Sequence, residues 1–413
     1  LNINEREMIT RSLNAFIEDE SRFNALKAKT KIRLVKKMVD FLNESKGVTI
    51  KFAQLLTYLE MGLPIEVRNA LGNIQGKLKP LNKKIVTSLL EEAYGAKWGE
   101  VFPYFEMKPI AVTSLAQVHL AKLATGEEVA VKIQDPNVKK QLESQFKKIE
   151  LITMVGGVFE QDLKQLTTEI KKLIQQECNY LLEVENQLKI RDILNELPRV
   201  YVPLVYKNLC RENIIVSEFI RGENFLTFVQ KAGQDSKNLV AKAILTSLTH
   251  LAFVHKIVYA DAHFENFLVK NDKIIILDFG RIFHPNKERM KLETMFYLAF
   301  VKGRKDVART LFSKVGFAKD INHFDFDEFW IFLNNTSKHL LINENFKFDK
   351  DYLDSISREG RRFSQKKNLK LSSENFWGFA FSSGTWALYA QLEAEFNWHE
   401  VAIETLERAL KEG

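Results

Sequence analysis

Three oxygen-bearing side chains stand at a spacing that could serve phosphoryl transfer. Asp261 precedes Asn266 by five residues, and Asp278 opens an Asp-Phe-Gly sequence directly after the apolar run Ile274–Leu277. Phosphoryl transfer needs a carboxylate beside the attacking oxygen, and Mg²⁺ at the phosphates needs oxygen ligands. We predict that Asp261 is the catalytic carboxylate and that Asn266 and Asp278 hold the metal. A turn aspartate, a capping asparagine and a second turn would explain these residues singly, but not their order.

A lysine in a predicted strand could bind the phosphates of the same nucleotide. In the segment Glu128–Gln134, alternation places Ala130 and Lys132 on one face and the intervening valines on the other. The small Ala130 can lie against an adenine ring while Lys132 reaches the α- and β-phosphates. A lysine in a strand is usually a surface residue, so this prediction depends on the Asp261 segment downstream.

A buried lysine of this kind needs an oriented carboxylate as its partner. The best candidate is Glu177, in the segment Glu177-Cys178-Asn179-Tyr180-Leu181-Leu182-Glu183. Because this segment lies far beyond Lys132, its position implies a helical insert in the sheet region. Glu183 follows Glu177 by six residues, and we predict that both lie on the same helix, nearly two turns apart, with Glu183 facing the cleft.

Two further segments are predicted to contact the nucleotide. No glycine-rich loop precedes Lys132, and a loop with a Cβ at each position, which is stiffer, takes its place. Its residues are Ala111, Val112, Thr113 and Ser114. The sequence Ser217-Glu218-Phe219-Ile220 follows a predicted strand and precedes Gly222, as a hinge between two lobes would. We predict that Glu218 and Ile220 border the adenine and that the Ile220 backbone contacts it.

The elements around these residues predict an α+β fold with two lobes, mostly helical, of the protein-kinase type. Residues 1–103 form a helical extension, residues 104–222 a small lobe with a sheet and a helical insert, and residues 223–413 a helical large lobe. The predicted strands are Val118–Leu123, Glu128–Gln134, Tyr201–Tyr206 and Asn213–Phe219. Beyond Phe225 we predict helices with one exception, a hairpin of Phe267–Val269 and Ile274–Leu277 joined at Asn271–Asp272.

The 413-residue chain is long enough for two or three cores and has 60 basic and 53 acidic residues, a net charge of +7. This excess would suit a phosphate ligand or an anionic membrane surface, but a solvated lysine-rich surface explains it, and we expect no nucleic-acid partner. Two cysteines cannot form a disulfide framework, which favours a cytoplasmic location, with peripheral membrane attachment left open. Polar residues interrupt the apolar run Trp377–Leu392, so we predict no membrane-spanning helix.

The motifs together resemble the UbiB/AarF family of atypical kinases, over roughly residues 46 to 283. That family carries an alanine-rich loop ending in S-x-x-Q-V-H, then V-A-V-K, E-C-D-Y-x-x-E-A, an H-x-D-x-H-x-x-N-like loop and D-F-G, with K-x-G-Q upstream. The matching residues here are Ser114, Gln117, Val118, His119, Lys132, Glu177, Cys178, Tyr180, Glu183, Asp261, His263, Asn266, Asp278, Phe279, Gly280, Lys51 and Gln54. Ala53, Asn179 and Val184 depart from the family pattern, and the loop is less rich in alanine.

The resemblance implies a kinase-like core whose helical extension covers the cleft, with Lys51 and Gln54 on one helix face directed into the site. It also implies binding of ATP or ADP with Mg²⁺, slow ATP hydrolysis, and a role in isoprenoid-quinone or other lipid metabolism at a membrane surface. A lipid or membrane partner and a protein complex are both compatible with it. Two alternatives stay open: a true phosphotransferase acting on a protein or small molecule, and a nucleotide-binding regulatory scaffold without turnover.

Overall fold

The computed structural model of the chain describes residues 80–138, 140, 142, 146, 160–318, 320–364 and 373–412. Lys51, Gln54 and the helices predicted around them lie outside the described residues. The described residues form two compact units: one holds the chain up to Leu182 together with Tyr206–Phe219, and the other holds Glu183–Val205 and the chain from Ile220 onward. The sequence-based boundaries of the three predicted parts stay predictions.

An antiparallel sheet forms the centre of the first unit, in the order β1-β3-β4-β6 with β2 also paired to β3. The strands that precede residue 220 in the described chain are β1 (Tyr104–Phe105), β2 (Ala111–Val112), β3 (Ala116–Lys122), β4 (Glu128–Gln134), β5 (Val200–Tyr201) and β6 (Ile214–Glu218), of which β5 belongs to the second unit. The β-branched residues Val129, Val131 and Ile133 are fully buried on one face of β4. Gly126, with φ of 99°, makes the turn between β3 and β4, where a side chain would be strained.

Helices flank this sheet in the sequence: α1 (Lys83–Tyr94), α2 (Trp98–Val101), α3 (Glu160–Glu177) and α4 (Tyr180–Leu194). Asn82 caps α1 by accepting a hydrogen bond from the backbone N–H of Lys84 at 2.6 Å. The far end of α1 is held to the chain that leads into β6, because the Tyr94 hydroxyl donates to the Leu209 carbonyl at 2.7 Å. Arg211 adds a hydrogen bond to the Ala93 carbonyl at 3.1 Å.

The second unit contains a sheet in the order β5-β10-β9-β7, with β7 (Glu223–Asn224), β9 (Phe267–Lys270) and β10 (Lys273–Ile276). The predicted hairpin is confirmed: Lys270 pairs with Lys273, and the turn residues Asn271 and Asp272 have φ of 51° and 54°. Positive φ at both positions is typical of the type I′ turn that matches strand twist. The strand predicted at Tyr201–Tyr206 differs from the structure, since β5 ends at Tyr201 and pairs in parallel with β10.

The rest of the second unit is mainly helical: α5 (Phe225–Lys231), α6 (Gln234–Thr249), a π-helical turn (His250–Val254), β8 (Val258–Tyr259), β11 (Ile282–Phe283), α7 (Lys287–Val301), α8 (Lys305–Val315), α9 (Phe326–Thr336), α10 (Lys338–Leu341), β12 (Phe346–Phe348), α11 (Lys350–Ser364), α12 (Ser373–Leu392), β13 (Ala394–Phe396) and α13 (Trp398–Glu412). The pairs β8–β11 and β12–β13 are antiparallel. The region after Phe225 is mostly helical, as predicted, and these two pairs add short strands that the sequence did not predict. In the part of the chain that the structure describes, no helix combines the length and hydropathy of a membrane span.

The main core of this unit gathers α6, the β9–β10 hairpin, α12 and α13 around fully buried aromatic residues. Phe225, Phe267 and Trp398 are each buried, and the Trp398 indole N–H donates to the Phe346 carbonyl at 2.8 Å. The hydrogen bond satisfies the polar atom of a large buried ring, as interiors require. This packed core supports the hairpin that carries two of the predicted site residues.

Candidate functional site

The strand β4 presents Ala130 and Lys132 as the sequence predicts. Both side chains lie on the less buried face, opposite the fully buried Val129 and Val131. Both neighbouring strands pair with β4 along this stretch, so that Lys132 lies opposite Val118 on β3 and Ile215 on β6. The lysine is therefore carried by a strand that is held on both edges, which fixes its backbone before any ligand binds.

The segment that carries Glu177 lies beside Lys132. The Lys132 ammonium is 5.2 Å from the centre of the Tyr180 ring, within cation–π range. Gln134, two residues after Lys132, is buried and donates a hydrogen bond to the Cys178 carbonyl at 3.0 Å. These contacts join β4 to the Glu177–Tyr180 segment and support a Lys132–Glu177 pair, which stays a prediction.

The prediction that Glu177 and Glu183 share one helix is wrong. Helix α3 ends at Glu177, and α4 begins at Tyr180. The break follows from Asn179, whose side chain accepts a hydrogen bond from the Leu182 backbone N–H at 3.2 Å and so caps α4. Glu183 lies in the first turn of α4 and is only 2% exposed.

The loop predicted to meet the phosphates is the tip of a hairpin between β2 and β3. Ala111 and Val112 pair with Val118 and Gln117, and Thr113 closes the turn. The Thr113 hydroxyl accepts a hydrogen bond from the Ala116 N–H at 3.0 Å, and the Thr113 N–H donates to the Ala116 carbonyl at 2.8 Å. The hydrogen bonds of this turn thus occupy Thr113 and Ala116, and Ser114 stands at the tip.

Gln117 and His119, two buried residues of the S-x-x-Q-V-H motif, have a structural role in the first unit. His119 Nδ1 donates to the Glu106 carbonyl at 2.8 Å, and its Nε2 accepts from the Gln117 amide at 2.7 Å. Burial lowers the pKa of His119, which agrees with the neutral ring that this arrangement needs. Gln117 Oε1 accepts from the Leu81 backbone N–H at 2.7 Å. The pair therefore fixes the chain that enters α1 against β3.

The predicted hinge begins at the end of β6. Glu218 is the last residue of that strand and pairs with Val129, and the Phe219 N–H donates to the Glu128 carbonyl at 3.0 Å. Ile220, which opens the second unit, accepts a hydrogen bond at its carbonyl from the Gly222 N–H at 3.0 Å. The chain changes units at the position predicted for a hinge, and the adenine contact of Ile220 stays a prediction.

The hairpin brings the two predicted metal ligands together. Asn266 directly precedes β9 and Asp278 follows β10 by two residues, and the Leu277 N–H donates to the Asn266 carbonyl at 3.0 Å. The Asn266 amide donates to the Asp261 carbonyl at 2.9 Å, while Asp278 Oδ1 accepts from the Gly280 N–H at 2.9 Å. The first bond holds the Asn266 side chain by its nitrogen, which leaves its oxygen as the ligand that a hard cation takes. Asn266 and Asp278 fit Mg²⁺ as oxygen donors.

Asp261 forms a buried ion pair that the sequence analysis missed. Its carboxylate contacts Arg281, the residue directly after the Asp-Phe-Gly sequence, and both side chains are 6% exposed. The pairing of β8 with β11 produces this contact, because Ile282 lies opposite Tyr259 and the Ala260 N–H donates to the Arg281 carbonyl at 3.1 Å. The sequence signal that could have indicated this pair is the charged Arg281, directly after Gly280 and before an apolar residue.

The structure therefore gathers Asp261, Asn266 and Asp278 in the second unit, and Ala130, Lys132, Glu177 and the Ala111–Ser114 loop in the first. The kinase-like fold has an antiparallel sheet that carries a lysine. A helical unit follows it, with an Asp, an Asn and an Asp-Phe-Gly sequence around a hairpin. A solved Mycobacterium tuberculosis protein in complex with erythromycin shows the same fold with a TM-score of 0.65 and 22% identity, covering 91% of this chain and 96% of that one.

Within that fold class, a family model described as the ABC1 atypical kinase-like domain matches residues 73–311. The chain belongs to the ABC1 atypical kinase-like family, and the resemblance seen in the motifs is confirmed. One relative, named probable protein kinase UbiB, from Pseudomonas putida, is 33% identical over 239 residues, which is 56% of this chain and 44% of the relative.

A second relative, named atypical kinase COQ8, mitochondrial, from Saccharomyces cerevisiae, is 27% identical over 251 residues, or 60% of this chain and 50% of that protein. A third, AarF domain-containing protein kinase 1 of Xenopus tropicalis, is 30% identical over 268 residues. The alignments span about half the length of these relatives.

Proposed function

We propose that this chain binds ATP or ADP with Mg²⁺ and hydrolyses ATP slowly. The observation that supports this proposal is the arrangement of three residues around the β9–β10 hairpin. The hairpin brings Asn266 close to the strand end that bears Asp278, and the Asn266 amide also donates a hydrogen bond to the Asp261 backbone carbonyl. These are the parts that phosphoryl transfer requires, two oxygen ligands and a carboxylate. The relatives' names, which include the words kinase and UbiB, agree with it.

Each predicted residue has a defined part in this proposal. Lys132 binds the α- and β-phosphates, with Glu177 as its partner, and Ala130 and the Ile220 backbone contact the adenine. Asn266 and Asp278 hold Mg²⁺, which when bound neutralises charge on the phosphates. Asp261 orients the attacking oxygen. Glu183, buried in the first turn of α4, and the Lys51–Gln54 face border the acceptor side by resemblance to the family.

The proposal includes slow turnover for two reasons. The Ala111–Ser114 loop has a Cβ at each position and an internally bonded turn, so it adapts less to a γ-phosphate than a glycine loop does. Misplacement of reacting groups lowers rates steeply. By resemblance to the family, a helix bearing Lys51 would also cover the acceptor side and admit water more easily than a protein segment. The setting is isoprenoid-quinone or other lipid metabolism at a membrane surface.

Nucleotide binding is tested by thermal unfolding with and without MgATP or MgADP. A ligand that binds the native state alone raises its stability, by about 2.7 kcal/mol at a hundredfold excess over the dissociation constant. Asp278→Asn should weaken the metal-dependent part of this shift and leave the part seen with nucleotide in EDTA. Failure of both nucleotides to stabilise the protein at millimolar concentration would refute the proposal.

Turnover is tested by phosphate release in the presence of phosphatidylglycerol vesicles, with phosphatidylcholine vesicles as the neutral control. We expect slow release, stimulated by the anionic vesicles, and abolished by Asp261→Asn with nucleotide binding retained. Efficient transfer of labelled phosphate to a generic protein such as casein would instead favour the true phosphotransferase. Binding without any turnover under all conditions would favour the regulatory scaffold.

A further inference from the structure

The most unusual feature of the site is the ion pair between Asp261 and Arg281. Both side chains are 6% exposed, so neither charge is well solvated. Burying two charges is expensive unless their geometry is fixed and further hydrogen bonds are present. Here the backbone supplies the fixed geometry, through the β8–β11 pairing and the bond between the Ala260 N–H and the Arg281 carbonyl.

Other contacts fix the backbone of the same residue. The Asp261 carbonyl accepts hydrogen bonds from the His263 N–H at 2.7 Å and from the Asn266 amide at 2.9 Å. The Asp261 side chain is therefore directed by a rigid backbone at one end and by a guanidinium at the other. The guanidinium is planar and keeps its charge at all ordinary pH values, which suits it to hold a carboxylate in one orientation.

Arg281 is the charged residue that contacts this carboxylate. The other ionisable side chains on the loop and hairpin ends are His263, Glu265 and Asp278, and Glu265 is 72% exposed and lies 3.5 Å from His263. Helix α12 packs against Ala262, and its described side chains carry no formal charge. Loss of Arg281 would thus remove the cation that directly opposes the negative charge of Asp261.

We propose that Arg281 is a positioning residue that fixes the orientation of the Asp261 carboxylate, so that Asp261 serves as a hydrogen-bond acceptor for the attacking oxygen. This inference rests on the proposed function of Asp261. The planar guanidinium holds a carboxylate in one orientation more firmly than a flexible ammonium does. A carboxylate held in this way can orient water or an acceptor hydroxyl for attack.

Three variants test the role of Arg281 in the full chain. Arg281→Met removes the charge and retains the length, Arg281→Lys retains the charge without the planar fork, and the double variant Asp261→Asn, Arg281→Met removes both charges. We expect Arg281→Met to lower kcat for MgATP by about 10- to 100-fold with little change in KM. An unchanged KM separates a loss of orientation at Asp261 from a loss of nucleotide binding.

Arg281→Lys should recover part of kcat with the wild-type KM, because it retains the charge without the planar fork. In the Asp261→Asn background, Arg281→Met should lower the free energy of unfolding by less than it does in the wild type, because the ion pair is already broken. If Arg281→Met alone fails to fold, Arg281→Lys tests the inference, since it keeps a cation in the buried pair: we expect kcat below the wild type with unchanged KM, and a wild-type kcat would refute the role of the planar fork. MgADP thermal shifts establish that each variant folds and binds nucleotide.

The outcomes separate this inference from the proposed function. If the wild type hydrolyses ATP but Arg281→Met has the same kcat, the positioning role is refuted and the proposed function stands. A fall in kcat that is equal in the methionine and lysine variants would also refute it. If the wild type neither binds nor hydrolyses nucleotide, the proposed function itself fails.

Discussion

Gly384, in the middle of α12, is where that helix approaches the loop that carries Asp261. A Cβ built on Gly384 would lie 2.9 Å from the Ala262 carbonyl oxygen and 3.1 Å from the Ala262 Cβ. The nearest of these atoms belongs to the backbone, so it cannot move aside as the end of a flexible side chain would. Gly384→Ala must therefore displace α12 or the loop that carries Asp261.

The same helix provides a matched control in Gly378, where an added Cβ would meet nothing within 4 Å. Replacing a helical glycine with alanine gains about 1 kcal/mol from helix propensity, and this gain applies at both positions. Overpacking of a tight contact costs about 1–3 kcal/mol and applies only at Gly384. The free energy of unfolding of Gly384→Ala should thus lie about 1–3 kcal/mol below that of Gly378→Ala.

Urea unfolding of the wild type and both variants measures this difference. We also expect phosphate release by Gly384→Ala to fall relative to Gly378→Ala, because relief of the contact at Ala262 moves the residue next to Asp261. Two variants with equal stability and equal turnover would show that the close approach of α12 to the loop is absent, and the reasoning would be refuted.

Two more predictions concern stability. Burial lowers the pKa of His339 to about 3, and its Nδ1 lies 3.1 Å from the Tyr352 hydroxyl. In the unfolded chain, the same histidine takes a proton near pH 6.5. The free energy of unfolding should therefore fall as the pH drops from about 6.5 toward 3, by up to about 1.4 kcal/mol per pH unit. Between pH 7 and pH 5, urea unfolding should show a smaller loss of unfolding free energy for His339→Gln than for the wild type. The variant His323→Gln, at an exposed histidine, is the control and should behave as the wild type. Equal losses for His339→Gln and the wild type would contradict this prediction. Asn179→Ala should lower the free energy of unfolding by about 1 kcal/mol through loss of the bond to the Leu182 N–H, whereas Asn179→Asp retains the cap; equal stability of Asn179→Ala and wild type would show that the cap contributes nothing.

The elements that the sequence predicted well are those formed between neighbours along the chain. The strand Glu128–Gln134 has the predicted bounds, because alternation of β-branched residues and a glycine turn act within a few residues. The β9–β10 hairpin was likewise predicted, since Asn271 and Asp272 tolerate the left-handed backbone that a two-residue turn needs. The order of the site motifs identified the family, which the family model confirms.

Misjudged features depended on partners remote in sequence. The strand predicted to Tyr206 ends at Tyr201, after pairing with Ile274 and Ile275 of β10. Strands β12 and β13 pair across an intervening stretch that includes two helices, and no local pattern signals such a pairing. The break between Glu177 and Glu183 follows from a single capping asparagine, aided by the hydrogen bond of Gln134 to the Cys178 carbonyl.

By itself the sequence determined which residues are candidates for the chemistry, because residue type and spacing are enough to suggest two oxygen ligands, a carboxylate and a strand lysine. Only the tertiary structure decided how the carboxylate is held. Asp261 and Arg281 are twenty residues apart, and their contact exists because β8 pairs with β11 and closes the loop between them. Strand pairing joins residues through hydrogen bonds across space, and this geometry cannot be read from the order of the residues alone.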